Sequence, residues 1–359
     1  MRIFVYEFLT GGGLLRTGGT TAQLQSLYDE GAAMLAALAG DFAALSGVEV
    51  TILRDARSRF VPPLGVVACE VSSAENERQA FANTATEADW TVVIAPESQG
   101  CLIERCGLVA ASGGRLLGIS GQALEIACDK QATAEYLRAA GIATPRGWAI
   151  DAGTSWPPDL QFPAVIKPRD GAGSQGVRLL RSRSEPLAAP DDQKSDIKNS
   201  QSSHVELLVE QFCPGEPVSV ALLCGPAGQF AMPPCGQRLS DDGRFQYLGG
   251  SLPLPPALAR RATRLAEQAV AALPNALGYV GVDLVLGAEG DGAGDFVIEV
   301  NPRLTTSYIG LRAASRENLA AALLEVAEGR VPRLSFAADR VEFNAIGQVR
   351  VGAPAPSVR

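Results

Sequence analysis

Short apolar runs alternate with helical patterns over the first 117 residues, and this alternation limits the fold more than any other feature of the sequence. The apolar runs cover residues 3–8, 48–53 and 90–95, and residues 23–39 and 74–88 have the spacing of amphipathic helices. Strands interleaved with helices pair in parallel, since each helix covers a crossover between strands. The pattern predicts an N-terminal doubly wound parallel α/β domain over residues 1–117.

The rest of the chain mixes strands and helices in an α+β manner, and we expect two subdomains there. The first covers residues 118–208 and contains a strand, a glycine-rich turn and a second strand between residues 163 and 180. The second covers residues 209–359, and its residues 340–351 are expected to add a last strand or two. Residues 183–203 are polar with little apolar content, which predicts a mobile excursion.

Composition excludes several classes of function. The net charge is 31 minus 39, or −8, which argues against a nucleic-acid or membrane-surface binder. Seven cysteines without a C-x-x-C pair, and no apolar run of membrane-spanning length or signal-peptide pattern, predict a reduced, cytoplasmic protein. The one histidine, His204, is predicted to be structural, so the chemistry must use carboxylates, lysines, arginines and a bound cofactor.

Lys167 lies within an apolar strand, where an ammonium group is costly to bury unless an anion meets it. Gly171, Gly173 and Gly176 follow, and glycines allow backbone N–H groups to approach a phosphate closely. An ordinary hairpin with an edge lysine is the alternative interpretation.

Two single acids also lie inside apolar strands, Asp283 and Glu299. Asn301 shares a strand face with Glu299, and Arg303 lies two residues further along. Oxygen ligands of this kind suit Mg²⁺ shared with nucleotide phosphates, and an arginine fork suits a phosphate or carboxylate. Ion-paired core acids are the alternative.

Between the two clusters, residues 209–216 provide backbone groups and apolar walls for an adenine. Glu216 provides an acceptor for ribose hydroxyls.

Gly11, Gly12 and Gly13, and after them Gly18 and Gly19, follow the first strand, where a dinucleotide fold would have its phosphate loop. Their spacing is not G-x-G-x-x-G and no helix starts at them, so we interpret them as a flexible loop reaching across a cleft. A dehydrogenase would depend on these glycines alone.

In their order and spacing, these motifs resemble the ATP-grasp superfamily. The matching pieces are Asp129-Lys130, Thr144-Pro145, Val165–Pro168, Glu210–Phe212, Gly215-Glu216, Gly281–Asp283 and Ile298–Arg303. The resemblance implies that Lys130 and Lys167 hold the α- and β-phosphates of ATP and that the 171–176 loop closes over the phosphates. It assigns that loop's Gly171, Gly173, Ser174 and Gly176 to ATP, with Glu210, Gln211 and Phe212 at the adenine, Glu216 at the ribose, and Asp283, Glu299 and Asn301 at Mg²⁺ or Mn²⁺.

The superfamily's reaction joins a carboxylate to an amine through an acyl phosphate, with ADP and phosphate as products. The resemblance implies this C–N ligase reaction here, with Lys167 and Arg303 as catalytic residues and small molecules as substrates. A homodimer is an open expectation. The alternatives are a D-alanine–D-alanine-like or other peptide ligase of the same fold, and an ATP-binding regulatory protein without turnover.

Three shorter stretches, residues 4–13, 53–55 and 247–251, are similar to the group around tyramine–glutamate ligase, which serves methanofuran-type cofactor biosynthesis. The similarity implies that the γ-carboxylate of glutamate is joined to tyramine or a related amine. It also implies the substrate-binding residues Glu7, Thr10, Gly11, Gly12, Arg238 and Arg303.

Overall fold

The computed structural model describes residues 1–16, 24–150, 156–171, 173–185 and 206–352. These residues form three sheets, one parallel and two antiparallel, which confirms the predicted fold class of one α/β unit followed by α+β structure. The boundaries predicted after residues 117 and 208 stay predictions. His204 and residues 186–203 of the predicted excursion lie outside the described residues. No helix in the described ranges is long and apolar enough to cross a membrane.

The first sheet has the order β3-β2-β1-β4 and is parallel throughout. Its strands and helices are β1 Arg2–Glu7, α1 Gln25–Ala43, β2 Glu49–Asp55, β3 Val66–Val71, α2 Ala74–Glu87, β4 Trp90–Ile94 and α3 Cys101–Ala111. Alternate residues of β1 are buried on opposite faces: Phe4 and Tyr6 contact Phe81 of α2, whereas Ile3 and Val5 belong to the core that includes α1. Because β2 and β4 lie on opposite sides of β1, the topological switch point lies between β1 and β4.

Gly11, Gly12 and Gly13 form a buried turn after β1, so the expectation of a flexible loop across a cleft was wrong for them, while Gly18 and Gly19 lie outside the described residues. Gly11 N–H donates to the Glu7 carbonyl and Gly13 N–H to the Phe8 carbonyl, both at 2.8 Å, and a 3-10 turn follows at Gly13–Arg16. A Cβ atom at Gly13 would lie 2.5 Å from the Phe8 ring. The glycines are therefore explained by close packing rather than by binding of a dinucleotide phosphate.

The second sheet is small and antiparallel, with the order β5-β8-β6-β7. Two helices, α4 Gly121–Ala127 and α5 Lys130–Ala139, precede its strands β5 Gly147–Ile150, β6 Ala164–Pro168, β7 Arg178–Leu180 and β8 Leu207–Gln211. It has its own core, in which Ile166, Val209 and Leu180 are completely buried. The glycine-rich turn between β6 and β7 is the hairpin that the sequence predicts.

The third sheet has eight strands, in the order β14-β13-β9-β11-β12-β15-β16, with β10 paired to β9. Its elements are β9 Glu216–Gly225, β10 Gly228–Ala231, β11 Cys235–Leu239, β12 Tyr247–Leu252, α6 Pro256–Ala272, β13 Gly278–Leu286, β14 Phe296–Asn301, α7 Ser307–Ala314, α8 Leu319–Ala327, β15 Arg340–Phe343 and β16 Val349–Gly352. The last two strands are the addition expected from residues 340–351.

Helix α1 joins the parallel sheet to the third sheet. Its Asp41 carboxylate accepts hydrogen bonds from the Tyr308 hydroxyl at 2.8 Å and from two nitrogens of Arg312, while Asn318 donates to the Asp41 carbonyl. The surrounding core is continuous from α1 to α7 and α8. This clamp fixes the face of α1 that lies nearest the site described below.

Candidate active site

One cavity of about 250 Å³ lies between the second and third sheets and reaches α1. Twelve predicted site residues line it: Lys130, Lys167, Gly171, Gly173, Ser174, Glu210, Gln211, Phe212, Asp283, Glu299, Asn301 and Arg303. Seven do not line it: Gly176, Glu216, Glu7, Thr10, Gly11, Gly12 and Arg238. The turn after β1 is buried against the parallel sheet, and Arg238 donates to the Leu248 carbonyl, so these predicted substrate ligands lie away from the cavity.

Lys130 reaches the cavity from the first turn of α5. Asp129 caps this helix by accepting hydrogen bonds from the backbone N–H groups of Gln131 and Ala132, which fixes the start of the helix. The Lys130 ammonium lies 2.8 Å from the Glu299 carboxylate and donates to the Gly171 carbonyl at 2.5 Å. Burial opposes the charge, but Glu299 and Glu97 raise the pKa of Lys130, so it stays protonated.

Lys167 lies at the end of β6, and its ammonium is 2.6 Å from the carboxylate of Glu210 on the neighbouring strand β8. Val165 is the residue opposite Glu210, and Lys167 follows two positions later on the same face. Both side chains are almost fully buried, with exposed fractions of 5% and 8%. A buried pair of this kind contributes little to stability by itself, because desolvation of the two charges offsets their attraction.

The metal-side residues lie on one face of the third sheet. Asp283 is directly opposite Glu299 in the β13–β14 register, and the Asn301 amide donates to Asp283 at 2.9 Å. Gln237 of β11 donates to the other Asp283 oxygen at 2.8 Å. Burial, and next the charge of Glu299, raise the pKa of Asp283 to about 7. Two carboxylates opposite each other on paired strands repel unless a cation lies near them.

The chemistry of this donor set fits a magnesium ion. Two carboxylates and an amide oxygen are hard oxygen ligands, and Mg²⁺ usually takes one or two carboxylates together with phosphates and water. Within the described residues no group of three or more His, Cys, Asp or Glu side chains could hold a metal ion.

Arg303 follows β14 and is held by a residue that the sequence did not single out, Glu97. The Arg303 Nε and Nη2 atoms donate to the two Glu97 oxygens at 2.8 and 3.0 Å, and Nη1 donates to the Leu304 carbonyl at 3.2 Å. One N–H on each terminal nitrogen is left to face the cavity. Glu97 lies in the loop after β4, where its sequence context, Ala-Pro-Glu-Ser, gives no signal of burial.

The predicted adenine segment lines the opposite end of the cavity. The Phe212 ring is stacked on Phe245 with a centroid distance of 6.0 Å. The N–H groups of Gln211 and Phe212 already donate to the carbonyls of Arg146 and Pro163. Carbonyl oxygens and aromatic walls thus remain as the contacts for a base.

No cysteine in the cavity is activated. Cys213 is the one cysteine that lines it, and burial raises the pKa of its thiol to about 12. A thiolate is the nucleophilic form, so Cys213 does not provide a covalent nucleophile at neutral pH.

The β6–β7 loop closes the cavity against the N-terminal unit. The backbone N–H of Gln99 donates to Asp170 at 2.6 Å, and a Cβ atom at Gly173 would lie 2.5 Å from Leu27 of α1. Gly173 therefore allows the loop to approach α1, and Ser174 also has a positive φ of 58°.

Comparison with known proteins agrees with this geometry. The ATP-grasp domain family matches residues 127–307, half of the 359-residue chain, and the pre-ATP-grasp 3 domain family matches residues 48–124. The chain belongs to the ATP-grasp family, as its motifs predicted. It is similar to tyramine–L-glutamate ligase of Methanocaldococcus jannaschii, with 26% identity over 224 residues, covering 62% of this chain and 58% of that protein.

Two further relatives are similar at the same level. A D-alanine–D-alanine ligase of Gloeobacter violaceus is 30% identical over 204 residues, covering 53% of this chain and 64% of the ligase. An uncharacterised protein, y4rH, of Sinorhizobium fredii is 30% identical over 198 residues, covering 53% of this chain and 39% of its own length. The chain thus spans about two fifths to two thirds of the length of these three relatives.

Among solved structures, the L-amino acid ligase of Bacillus licheniformis superposes with a TM-score of 0.67 at 18% identity. The superposition covers 95% of this chain and 78% of that one. This likeness shows a shared fold.

Glu30, on α1, also lines the cavity and gives a test of its electrostatics. Burial raises the pKa of Glu30 to about 7, although the positive charge of Arg303 acts in the opposite direction. The charge of Glu30 also acts on the phenol of Tyr247. The folded protein holds this proton more tightly than the unfolded chain, so stability is lost as the pH rises from about 5 through 7. We expect Glu30→Gln to raise the free energy of unfolding of the ligand-free protein by about 2 to 3 kcal/mol more at pH 8 than at pH 5.

Urea unfolding at both pH values measures this difference. Asp29→Asn, the corresponding change on the neighbouring residue of α1, is the control, because Asp29 accepts a hydrogen bond from Gln25 and does not line the cavity. If Glu30→Gln changed the free energy of unfolding equally at the two pH values, the raised pKa of Glu30 would be contradicted.

Proposed function

We propose that the protein is an ATP-dependent ligase that joins a carboxylate to an amine through an acyl phosphate. The observation that carries the proposal is that two buried ammonium groups, Lys130 and Lys167, share one cavity with Asp283, Glu299 and Asn301. These last three residues form the acid–amide face of the cavity. A cavity built in this way suits a polyphosphate, because lysines receive its oxygens and carboxylates face its counter-ions. The family membership of residues 127–307 supports ATP as that polyphosphate.

In this proposal Lys130 and Lys167 hold the phosphates, and the β6–β7 loop covers them. Phosphate oxygens take over contacts that Glu299 and Glu210 now make, which frees Glu299 to face the metal with Asp283 and Asn301. Mg²⁺, or Mn²⁺, would neutralise charge on the phosphates when bound there. The stacked rings of Phe212 and Phe245 provide an apolar wall for the adenine.

The reaction has two displacement steps. A substrate carboxylate oxygen attacks the γ-phosphorus and ADP leaves; the amine nitrogen then attacks the acyl carbon, phosphate leaves, and the nitrogen loses its extra proton. Lys167 and the free N–H groups of Arg303 stabilise charge on the phosphoryl oxygens. No side chain forms a covalent intermediate, which agrees with the inactive thiol of Cys213.

Glutamate and tyramine are the first substrates to propose, because tyramine–L-glutamate ligases match this chain. The D-alanine–D-alanine ligase that matches at 30% identity makes D-alanine the second choice. Both pairs have the same chemistry, a carboxylate and a primary amine.

The test is phosphate release from Mg–ATP with a panel of substrate pairs headed by glutamate plus tyramine. We expect release only when a carboxylate and an amine are both present, with the amide found by mass spectrometry. Omitting each substrate in turn is the control. Phosphate release with D-alanine alone would identify D-alanine as the substrate. Binding of an ATP analogue without phosphate release from any substrate pair would show instead a non-catalytic ATP-binding protein.

A further inference from the structure

The switch point of the parallel sheet carries more negative than positive charge. Glu7 ends β1, Glu97 follows β4, and Glu30 comes from α1, which packs against β1 and covers Glu7. The guanidinium of Arg303, from the third sheet, interacts with all three carboxylates. When Lys130, which interacts with Glu97, and Glu299, which interacts with Arg303, are also counted, carboxylates outnumber cationic groups at the place where a parallel sheet usually receives its ligand.

Two of the three carboxylates have their partners within the protein. Glu97 accepts two hydrogen bonds from Arg303 at 2.8 and 3.0 Å. Glu7 accepts from the backbone N–H groups of Leu9 at 3.1 Å and Thr10 at 2.8 Å. It is also covered by α1, since a Cβ atom at Gly31 would lie 2.4 Å from a Glu7 oxygen. Neither carboxylate lines the cavity.

Glu30 is the third carboxylate, and it does line the cavity. Within the described part of the chain, its side chain makes no hydrogen bond and no ion pair. The charge of Arg303 acts on Glu30, but the two described side chains make no ion pair, and Nε and Nη2 of Arg303 donate to Glu97. A half-buried carboxylate without a partner beside a cavity is better stabilised when a cationic ligand binds next to it.

We propose that Glu30 binds a primary ammonium group of a substrate and is a specificity-determining residue of the ligase site. The proposal deepens the proposed function and rests on it. The ammonium has two sources: the amine that forms the amide, or the α-ammonium of the amino acid whose carboxylate is activated. Both present the same group, three N–H donors and one positive charge.

The clamp on α1 supports this role. Asp41, eleven residues after Glu30 on the same helix, is held by Tyr308, Arg312 and Asn318 of the third sheet's helices. The helix cannot slide without breaking these contacts. The contacts therefore limit movement of Glu30 along the helix axis relative to the third sheet.

Calorimetric binding to the full chain, with a non-hydrolysable ATP analogue and Mg²⁺ present, tests the proposal. The probes are tyramine, L-glutamate and D-alanine, each matched with an analogue that lacks the ammonium: 4-ethylphenol, glutarate and propionate. We expect at least one ammonium probe to bind, and Glu30→Gln to weaken it about tenfold to a hundredfold. The matched analogue and the ATP analogue should change less than twofold.

The probe that loses affinity identifies the source of the ammonium. A loss of affinity for tyramine would show that Glu30 binds the amine that forms the amide. A loss of affinity for glutamate but not for glutarate would show that Glu30 binds the α-ammonium of the activated amino acid. Asp29→Asn is the control for a charge change on α1 outside the cavity. Binding of no ammonium probe, or affinities of all probes within twofold of wild type in Glu30→Gln, would overturn the proposal.

The two proposals fail separately. Phosphate release with unchanged binding in Glu30→Gln would leave the ligase standing and remove the role of Glu30. Binding that depends on Glu30 without phosphate release would keep the ammonium site and remove the ligase reaction.

Discussion

Lys167→Met is expected to abolish detectable turnover and to weaken ATP binding about a hundredfold or more. The ammonium group is 5% exposed and lies within the cavity, so water cannot replace it at the phosphates. The same change leaves the Glu210 carboxylate buried without a counter-charge. The free energy of unfolding should therefore fall by about 3 to 5 kcal/mol.

Phosphate release, nucleotide titration and urea unfolding measure the three effects. The double variant Lys167→Met/Glu210→Gln separates them, because it removes the unpaired carboxylate without restoring the ammonium. It should recover most of the lost stability and none of the turnover. Turnover that returns together with stability would mean that Lys167 acts only through the fold.

Removing the metal-side amide is expected to have the second large effect. Asn301→Ala should lower turnover about a thousandfold, which corresponds to the several kcal/mol that a bound metal contributes to phosphoryl transfer. Glu299→Ala should do the same, but it also removes the partner of Lys130, so Asn301 gives the simpler test. Titration with Mn²⁺ in the presence of an ATP analogue measures metal affinity directly.

Asn344→Ala is the matched control, since Asn344 bonds with Gln348 in the turn between β15 and β16 and does not line the cavity. Its turnover should remain within twofold of wild type. Near-normal turnover or unchanged Mn²⁺ affinity in Asn301→Ala would exclude this residue as a metal ligand.

The fold could be predicted from the sequence wherever burial leaves a pattern. Strands β1, β2 and β4 are buried on both faces and form clear apolar runs. Strand β3 was missed because it is an edge strand with mostly half-exposed side chains, and its six residues show no alternation. Strand β12 was missed because it contains Gly249 and Gly250, whose close approach to Phe343 no hydrophobic pattern reveals.

The residues of the candidate site likewise could be predicted only where the sequence carried a local signal. Lys167, Asp283 and Glu299 were recognisable because a single charge inside an apolar strand needs a partner. Glu30 was missed because it follows Asp29 on α1, where two adjacent acids are typical of a solvated helix face. Glu97 was missed because only the packing of the parallel sheet beside the third sheet brings it to Arg303. Gln237 was missed because β11, which carries it, was not predicted, and only the strand order of the third sheet brings it to Asp283.

The predicted substrate ligands Glu7 and Arg238 show where resemblance of short segments stops being informative. The segment around Glu7 has a structural role, since its carboxylate closes the turn after β1. Similar residues at such a turn can preserve packing in many proteins without contacting a substrate. The roles of the residues that do line the cavity stay predictions until the variants are measured.

The second sheet has a hydrophobic core of its own, whereas the parallel sheet and the third sheet share theirs through α1. Cooperativity of unfolding follows core continuity, so this small sheet can detach locally at less cost than unfolding of the whole chain. Lys167 and Glu210 would move together as a neutral pair during such an event. A polyphosphate could thus enter from the side of the small sheet while the acid–amide face keeps its shape.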